Sequence, residues 1–357
     1  NMDNYKKLAV VVLFWNDYKK TIKCLNSIYH QKKINFSLVL VDNNSKSFYP
    51  KKIFEFLKKN KIKILKTNRY KINKSNFKSN NVCFYIKNNK NYGCGLGHNF
   101  GYQFSLKNNF KYIARIDNDM ILPNNLLYNL TKRIESNKKI LALSPKVMFV
   151  KNPNLIWFRG AKIGNNLKFQ KQCSQYKPGH LDRKEYRGLV KTDAIVGCAS
   201  IMRSKDLKKS GLSDPDFFYG EEDIELSYRL KEDYRNHYVD LDEKIFHHVS
   251  GTVGKNWAKN IYYNFKYRLV LIKKIGTVSD KIIGYSMYVI KLILSIFLLF
   301  QKKHSSKIIQ RFLGLKHFIE KNYGSYDREN YKKIDKLFRN INKETNMFQI
   351  YKYFLSK

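Results

Sequence analysis

The sequence predicts an α/β fold: an open, mostly parallel central sheet with helices on its flanks. Three observations lead there. Leu8 to Phe14 and Leu38 to Val41 are continuous apolar runs of strand length, the pattern of strands buried on both faces. Between them, Tyr18 to His30 places Thr21, Cys24, Leu25 and Ile28 at helical spacing, and strand, helix and strand within about 35 residues make a βαβ unit. The apolar run Tyr112 to Ile116, interrupted only by Arg115, ends abruptly in Asp117-Asn118-Asp119. Carboxylates thus stand at the carboxyl end of a strand, the edge where open α/β sheets bind ligands.

The 357 residues allow one large domain of about 250 residues with an appendage, or two domains. With 43% apolar residues a core is within reach, and 69 Lys+Arg against 28 Asp+Glu give a formal net charge of +41. Such a field attracts nucleic acid, anionic lipid or phosphorylated substrates. The acidic residues gather at strand ends and the basic ones form no single block, which argues against nucleic acid as the partner and for a solvated or membrane-facing surface. The five cysteines are dispersed and never form Cys-x-x-Cys, so reduced thiols and a cytoplasmic setting are expected, without a zinc knuckle or disulfide frame. Leu8 to Phe14 is too short for a secretory signal and reads as a strand.

In chain order, Asp17 is the expected N-cap of the first helix. Leu38 to Val41 runs into Asp42-Asn43-Asn44-Ser45, a second Asp at a strand's end. Ile53 to Asn60 predicts a helix, Ile62 to Leu65 a strand, Arg69 to Asn81 a Lys/Asn/Ser-rich insertion and Val82 to Ile86 a strand. Asn91 to Gly101 carries glycines at 93, 95, 97 and 101, but His98 or Phe100 occupies the third place of any Gly-x-Gly-x-x-Gly, so the dinucleotide fingerprint is absent. What remains is a glycine-rich turn into a helix from Asn99 to Leu106. It is either a plain tight turn or a place where backbone amides approach a diphosphate. Leu126 to Ser136 reads as a helix, Ile140 to Phe149 as strand material and Trp157 to Tyr186 as irregular. Thr192 to Met202 reads as a strand with Gly197 at its middle, where a ligand or another backbone comes close. Ser204 to Ser210 is a short helix stopped by Gly211.

Two further groups carry chemistry. Glu221, Glu222 and Asp223 open a helix whose Ile224, Tyr228 and Leu230 face the core. Acidic residues in a first turn complement the helix dipole, yet three after an aromatic run exceed what capping needs. After a strand over Tyr238 to Leu241 comes the pair His247-His248, either a buried hydrogen-bonded histidine with a solvent neighbour or a third metal ligand. Asp117 and Asp119, one neutral residue apart, suit a hard divalent cation carrying phosphate oxygens.

Taken in this order, Val10 to Asn16, Leu40 to Ser45, Asn91 to Gly101, Ile116 to Asp119, and Tyr219 to Leu226 followed by His247-His248 resemble an inverting family-2 glycosyltransferase of the GT-A fold. The rhamnosyltransferase-like bacterial subgroup is the nearest. The resemblance covers about Leu8 to Gly254 and implies a catalytic domain over 1–256. It implies that Asp42, Asn91, Gly93, Asn99 and Asp117 bind the donor, a UDP- or dTDP-sugar. It further implies that Asp119, with Asp117 and His247 or His248, holds Mn²⁺ or Mg²⁺, and that Asp223 is the general base supported by Glu222. The family's usual Asn in the glycine loop is His98 here, and its Asp-Leu after Glu-Asp is Glu225-Leu226. The implied acceptor is a saccharide or a lipid-linked glycan of a cell-surface polysaccharide. A non-catalytic sugar-nucleotide binder is disfavoured because every catalytic position is filled.

Residues 257–357 predict a basic, amphipathic helical region. Ile261 to Ile275 is a basic aromatic helix resembling the segment after the catalytic domain in the same subgroup, and Arg311 to Tyr323 is another amphipathic helix. Ile282 to Phe300 has 19 residues with Lys291 near its middle, and a lysine at the bilayer centre costs about 2.5–3.5 kcal/mol. An in-plane helix on anionic lipid at the inner face of the cell membrane is therefore preferred to a span. The other reading is a helical hairpin packed on the enzyme or on a second subunit in a homo-oligomer.

Overall fold

The computed structural model describes residues 7–67, 81–163, 172–173, 180–248, 257–297 and 305–325. The insertion expected at 69–81, up to residue 80, lies outside them, as do residues 298–304 and the tail beyond 325. The chain falls into two compact units. One is carried by Asn1–Ile163, Gln172–Pro215 and Glu222–Thr252, the other by Gly164–Lys171, Asp216–Glu221 and Val253–Lys357.

The first unit runs β1 (Leu8–Phe14), α1 (Tyr18–Tyr29), β2 (Ser37–Asp42), α2 (Phe48–Lys59), β3 (Lys63–Thr67), β4 (Val82–Lys87), α3 (Gly95–Lys107) and β5 (Tyr112–Asp117). It continues through β6 (Met120–Ile121), α4 (Leu126–Ser136), β7 (Ile140–Phe149) and β8 (Leu155–Phe158). Then come the two-residue strands β9 (Lys162–Ile163), β10 (Gln172–Cys173) and β11 (His180–Leu181). It closes with β12 (Leu189–Thr192), β13 (Ala199–Arg203), α5 (Ser204–Ser210), α6 (Glu222–Leu230) and β14 (Asn236–His247). The main sheet is ordered β11-β8-β7-β13-β5-β1-β2-β4-β3, with β14 on β7, β6 and β12. Strands β5, β1, β2, β4 and β3 are mutually parallel, whereas β13 is antiparallel to both β5 and β7.

Strand alternation sorts the core into two layers. Leu8, Val10, Val12 and Phe14 of β1 pack with Cys24, Leu25 and Ile28 of α1 and with Ile53 and Leu57 of α2. Ala9 and Val11 face the other way, against Tyr102 and Phe104 of α3. Asp17 caps α1 as expected, accepting from the Lys20 N–H at 3.1 Å.

Four expectations are corrected. Helix α3 begins at Gly95 rather than Asn99, so the glycines 95, 97 and 101 lie inside it. There they permit close packing rather than a turn: a Cβ on Gly101 would come within 2.4 Å of Val11 Cγ1. Helix α2 begins at Phe48, with Pro50 in its first turn, where a missing N–H costs nothing. Thr192 to Met202 is two strands joined by a loop that carries Gly197, and Tyr228 is exposed, unlike its neighbours Ile224 and Leu230.

In the second unit α7 (Trp257–Ile275), α8 (Val278–Phe297) and α9 (Ser305–Ile319) form a helical group with Asp216–Glu221. Phe265 and Leu269 of α7 meet Tyr285, Tyr288 and Leu292 of α8 and Phe312 and Phe318 of α9. Phe217 packs on Tyr267 and Phe218 stacks on Tyr263, while Arg268 pairs with Glu221 at 2.6 Å and Lys274 with Asp216 at 2.7 Å. At the centre Lys266 is fully buried. Its Nζ donates to Tyr262 Oη at 2.8 Å and to the Gly324 carbonyl at 2.9 Å, and desolvation pulls its pKa down to about 7. Among the described residues no helix is long and apolar enough to cross a membrane.

Candidate active site

The parallel registers bring the carboxyl ends of β1, β2 and β5 to one edge, with Leu13 beside Asp117 and Phe14 beside Asp42. The chain proceeds from β1 outward through β2 and then returns to β5 on the other side of β1. That reversal is the switch point where an α/β sheet opens a crevice.

Arg115 is the node of the site. Alternation along β5 puts Arg115 and Asp117 on the face that receives α3. The guanidinium is buried, with Nη2 donating to Glu222 Oε1 at 3.2 Å and to Cys94 Sγ at 3.0 Å, and Nε standing 3.5 Å from Asp117 Oδ1. His98 Nδ1 lies 2.9 Å from the Cys94 carbonyl and so carries the proton, leaving Nε2 bare at 3.6 Å from Asp117 Oδ1. Burial, and then the Arg115 charge, hold His98 well below the usual histidine range, hence neutral. Asp117 Oδ1, Arg115 Nε, His98 Nε2 and Glu222 Oε2 are all buried without a hydrogen-bond partner. Desolvation pushes Asp117 up to about 6 against the opposing pull of Arg115.

Asp223 sits in the first turn of α6. Its Oδ2 accepts from the Gly197 N–H at 3.0 Å and its Oδ1 from the Ile224 N–H at 2.9 Å. Those bonds favour the charged form, but burial, reinforced by neighbouring Glu222, raises its pKa to about 6. Gly197 is needed here because a Cβ would stand 2.9 Å from Arg115 Nη2 and 3.1 Å from Asp223 Oδ2.

Asp119 is buried at the end of the crevice, with its Oδ1 3.3 Å from His247 Nε2. The His247 ring is held edge-on by Trp157 at 5.0 Å, and its Nδ1 is buried without a hydrogen-bond partner. His248 meets Asp119 through its backbone, donating its N–H to the Asp119 carbonyl at 3.0 Å. Of the two histidines, then, His247 presents its ring to the carboxylate. Among the described residues no three His, Cys, Asp or Glu groups are gathered so that they could hold a metal ion by themselves. Asp119 and His247, with Asp117 nearby, make an open donor set, which fits a cation that takes its remaining ligands from substrate phosphates and water.

The remaining predicted donor residues lie at the end of β2, in the loop before α3 and on α3 itself. Asp42 is fully buried, and its oxygens accept from the Ser45 N–H at 2.7 Å and the Tyr85 hydroxyl at 2.6 Å. As placed, it shapes the loop after β2 instead of presenting its carboxylate to a ligand. Asn43 takes the more central position, donating to Asn91 Oδ1 and to the Gly93 carbonyl, each at 2.8 Å. Gly93 has φ +79°, and its N–H donates to Asn91 Oδ1 at 2.9 Å, so Asn91 and Gly93 form one tight loop. Asn99 spends its amide on the Ser213 backbone, donating at 2.7 Å and accepting at 3.0 Å. That bond pair fixes α3 to the loop before α6.

The sequence profile of glycosyl transferase family 2 matches residues 9–208, more than half of the chain. The chain belongs to glycosyl transferase family 2. Its fold is shared with GalNAc-T7, solved with UDP, GalNAc and Mn²⁺, at a TM-score of 0.51 and 16% identity over 75% of this chain and 51% of that one. Staphylococcus aureus TarS aligns with a TM-score of 0.48 and 16% identity, over 88% of this chain and 49% of that one. TarS residues 1–349 align with the same score and identity, over 88% and 80%. This chain thus spans about half the length of the first two, and no curated protein matches it in sequence. The family match and the first of these likenesses establish the expected GT-A type of fold, here with a C-terminal helical part.

In this family-2 site, sequence reasoning passed over Arg115, Cys94 and Trp157. Arg115 had a signal: a lone cation inside a buried strand, two residues before Asp117 and so on its face. Trp157 had none, because it lies in a stretch without periodicity and reaches His247 only through the packing of β8.

Proposed function

We propose that this family-2 glycosyltransferase is an inverting, metal-dependent enzyme. It moves a sugar from a UDP- or dTDP-sugar to a saccharide acceptor, in its fullest form a lipid-linked glycan of the kind used in cell-surface polysaccharides. The observation that carries the reading is the environment of Asp223. A buried carboxylate raised to about 6, aligned by two backbone N–H groups and set beside Arg115 and Glu222, is ionised at neutral pH yet basic enough to take a proton.

Asp223 accepts the proton of the acceptor hydroxyl as its oxygen forms the new bond to the anomeric carbon. The bond from that carbon to the diphosphate oxygen breaks on the opposite face, and the nucleoside diphosphate leaves with the electron pair. One displacement gives inversion. Arg115 pairs with Glu222 and Asp117 and opposes the rise that burial and the Glu222 charge cause in the Asp223 pKa. Asn43, Asn91 and Gly93 shape the wall beside the donor. Asp119 and His247, with Asp117, would hold Mn²⁺ or Mg²⁺, which supplies Lewis-acid neutralisation of the departing diphosphate.

Thermal unfolding with UDP-, dTDP- and GDP-sugars, with and without Mn²⁺, tests this on the wild type and on Asp119→Ala. A donor at 100 times its Kd adds about 2.7 kcal/mol of stability. Stabilisation by one nucleotide class that requires metal and vanishes in Asp119→Ala is the expected result. Stabilisation by DNA alone would overturn the reading.

A further inference from the structure

Helix α8 is amphipathic in an unusual way: its one acidic side chain is withdrawn and its apolar residues face out. Val278, Ile282, Val289, Ile290, Ile293 and Leu294 are all about half or more exposed, from 49% at Ile293 to 75% at Val278. At about 100° per residue these six fall within roughly half the helix circumference, an arc in which Ser279, Ile283 and Ser286, also uncharged, lie as well. The opposite face is already used, with Tyr285, Tyr288 and Leu292 packed on α7 and α9. The one acidic side chain of α8, Asp280, is buried and accepts from the Thr277 hydroxyl at 2.7 Å, so α8 itself sets no negative charge beside the apolar arc. Lys281 and Lys291 flank it. Across residues 257–319 there are 12 Lys and Arg against that single Asp.

We infer that the exposed face of α8 is a docking surface for an anionic lipid bilayer, lying in the interface with its isoleucines, leucine and valines among the acyl chains and its lysines at the head groups. Charge selects this occupant. A second copy of the chain seated on the same face would bring the lysine borders of two strongly basic helical units together without acidic partners, at a cost set by like-charge repulsion. An anionic bilayer supplies apolar depth and counter-charge at once. A span is not required, since no described helix is long and apolar enough for one. The inference is independent of the transfer chemistry, and its test reads no catalytic activity.

The test is flotation of the full chain with phosphatidylcholine vesicles and with vesicles containing about 30 mol % phosphatidylglycerol. It compares wild type with Ile282→Glu/Ile293→Glu, with light scattering to read oligomeric state. The wild type should partition at least about tenfold more strongly onto the anionic vesicles, and the double variant should lose that gain while keeping its unfolding temperature. Equal binding by the double variant would show that general basic charge, and not this face, holds the lipid. A wild-type oligomer that the double variant dissolves would make the face a contact between copies; either result overturns the inference. Should the double variant fail to fold, Ile290→Trp keeps the face apolar. Its extra emission should shift to the blue and be quenched by brominated lipid on anionic vesicles, and unchanged emission overturns the inference equally.

Discussion

Replacing Arg115 with methionine removes the cation that faces Asp117, Glu222 and Asp223 while keeping most of the side-chain volume. The guanidinium lies 3.2 Å from Glu222 Oε1 and 3.5 Å from Asp117 Oδ1. At an effective dielectric of ~20 each contact amounts to about 5 kcal/mol of attraction before desolvation is subtracted. Removing one partner of such a buried set costs about 3–5 kcal/mol, or a loss of roughly 10 °C in Tm. The chemical consequence is more specific. Arg115 lowers the pKa of Asp223, which burial has already raised to about 6, and losing a neighbouring cation raises a carboxylate by about 1–3 units. The base works in its ionised form, so kcat/KM should rise with pH through about 6 in the wild type and level off above it. In Arg115→Met the same rise should move to about pH 7–9. At pH 7 that lowers the rate by about twofold for a one-unit shift and about ninetyfold for three units, and raising the pH restores it. Release of nucleoside diphosphate against pH is the assay. A variant that loses stability but keeps the wild-type pH profile would refute the electrostatic role and leave Arg115 as packing alone.

Three other substitutions probe the rest of the molecule. Asp223→Asn removes the base and should lower kcat by about 10²–10⁴ while metal-dependent stabilisation by the donor persists; stabilisation and turnover lost together would mean that Asp223 serves binding. Gly197→Ala places a methyl 2.9 Å from Arg115 Nη2 and 3.1 Å from Asp223 Oδ2, so kcat should fall by about tenfold or more through displacement of the base, with little change in donor affinity. In the second unit, Lys266 has its pKa depressed to about 7 by burial, so the unfolded chain binds the extra proton between about pH 7 and 10 and stability should climb with pH across that window, by at most about 1.4 kcal/mol per unit from this group. Lys266→Met should flatten that part of the slope in pH-resolved chemical unfolding, and an unchanged slope would show that the buried amine keeps its proton.

The mostly parallel sheet and the carboxylates at its edge were legible in the chain. Apolar runs such as Leu8 to Phe14 and their abrupt ends in Asp42 and Asp117 are local signals, set by burial on both faces of a strand. Asp119 and Asp223 were legible for the same reason: charged groups beside apolar runs have few structural excuses. Less legible were places where a local signal had two solutions. The glycines at 95, 97 and 101 suit a turn or a tightly packed helix, and only the approach of β1 to α3 selected the helix. Asp42 and Asn99 had the right chemistry in the right place, yet Tyr85 and the Ser213 backbone, distant in sequence, claimed their polar atoms. The sequence by itself determined the βαβ frame, the apolar strands β1, β2 and β5 and the acidic residues that end β2 and β5, because those are set by local apolar runs and the 3.6-residue helical period. Only the tertiary structure decided that His247 and not His248 turns its ring to Asp119, that Arg115 joins Asp117 to Glu222, and that the apolar face of α8 points outward. Each of those depends on which distant side chain fills a given space, and a one-dimensional pattern carries no such distance.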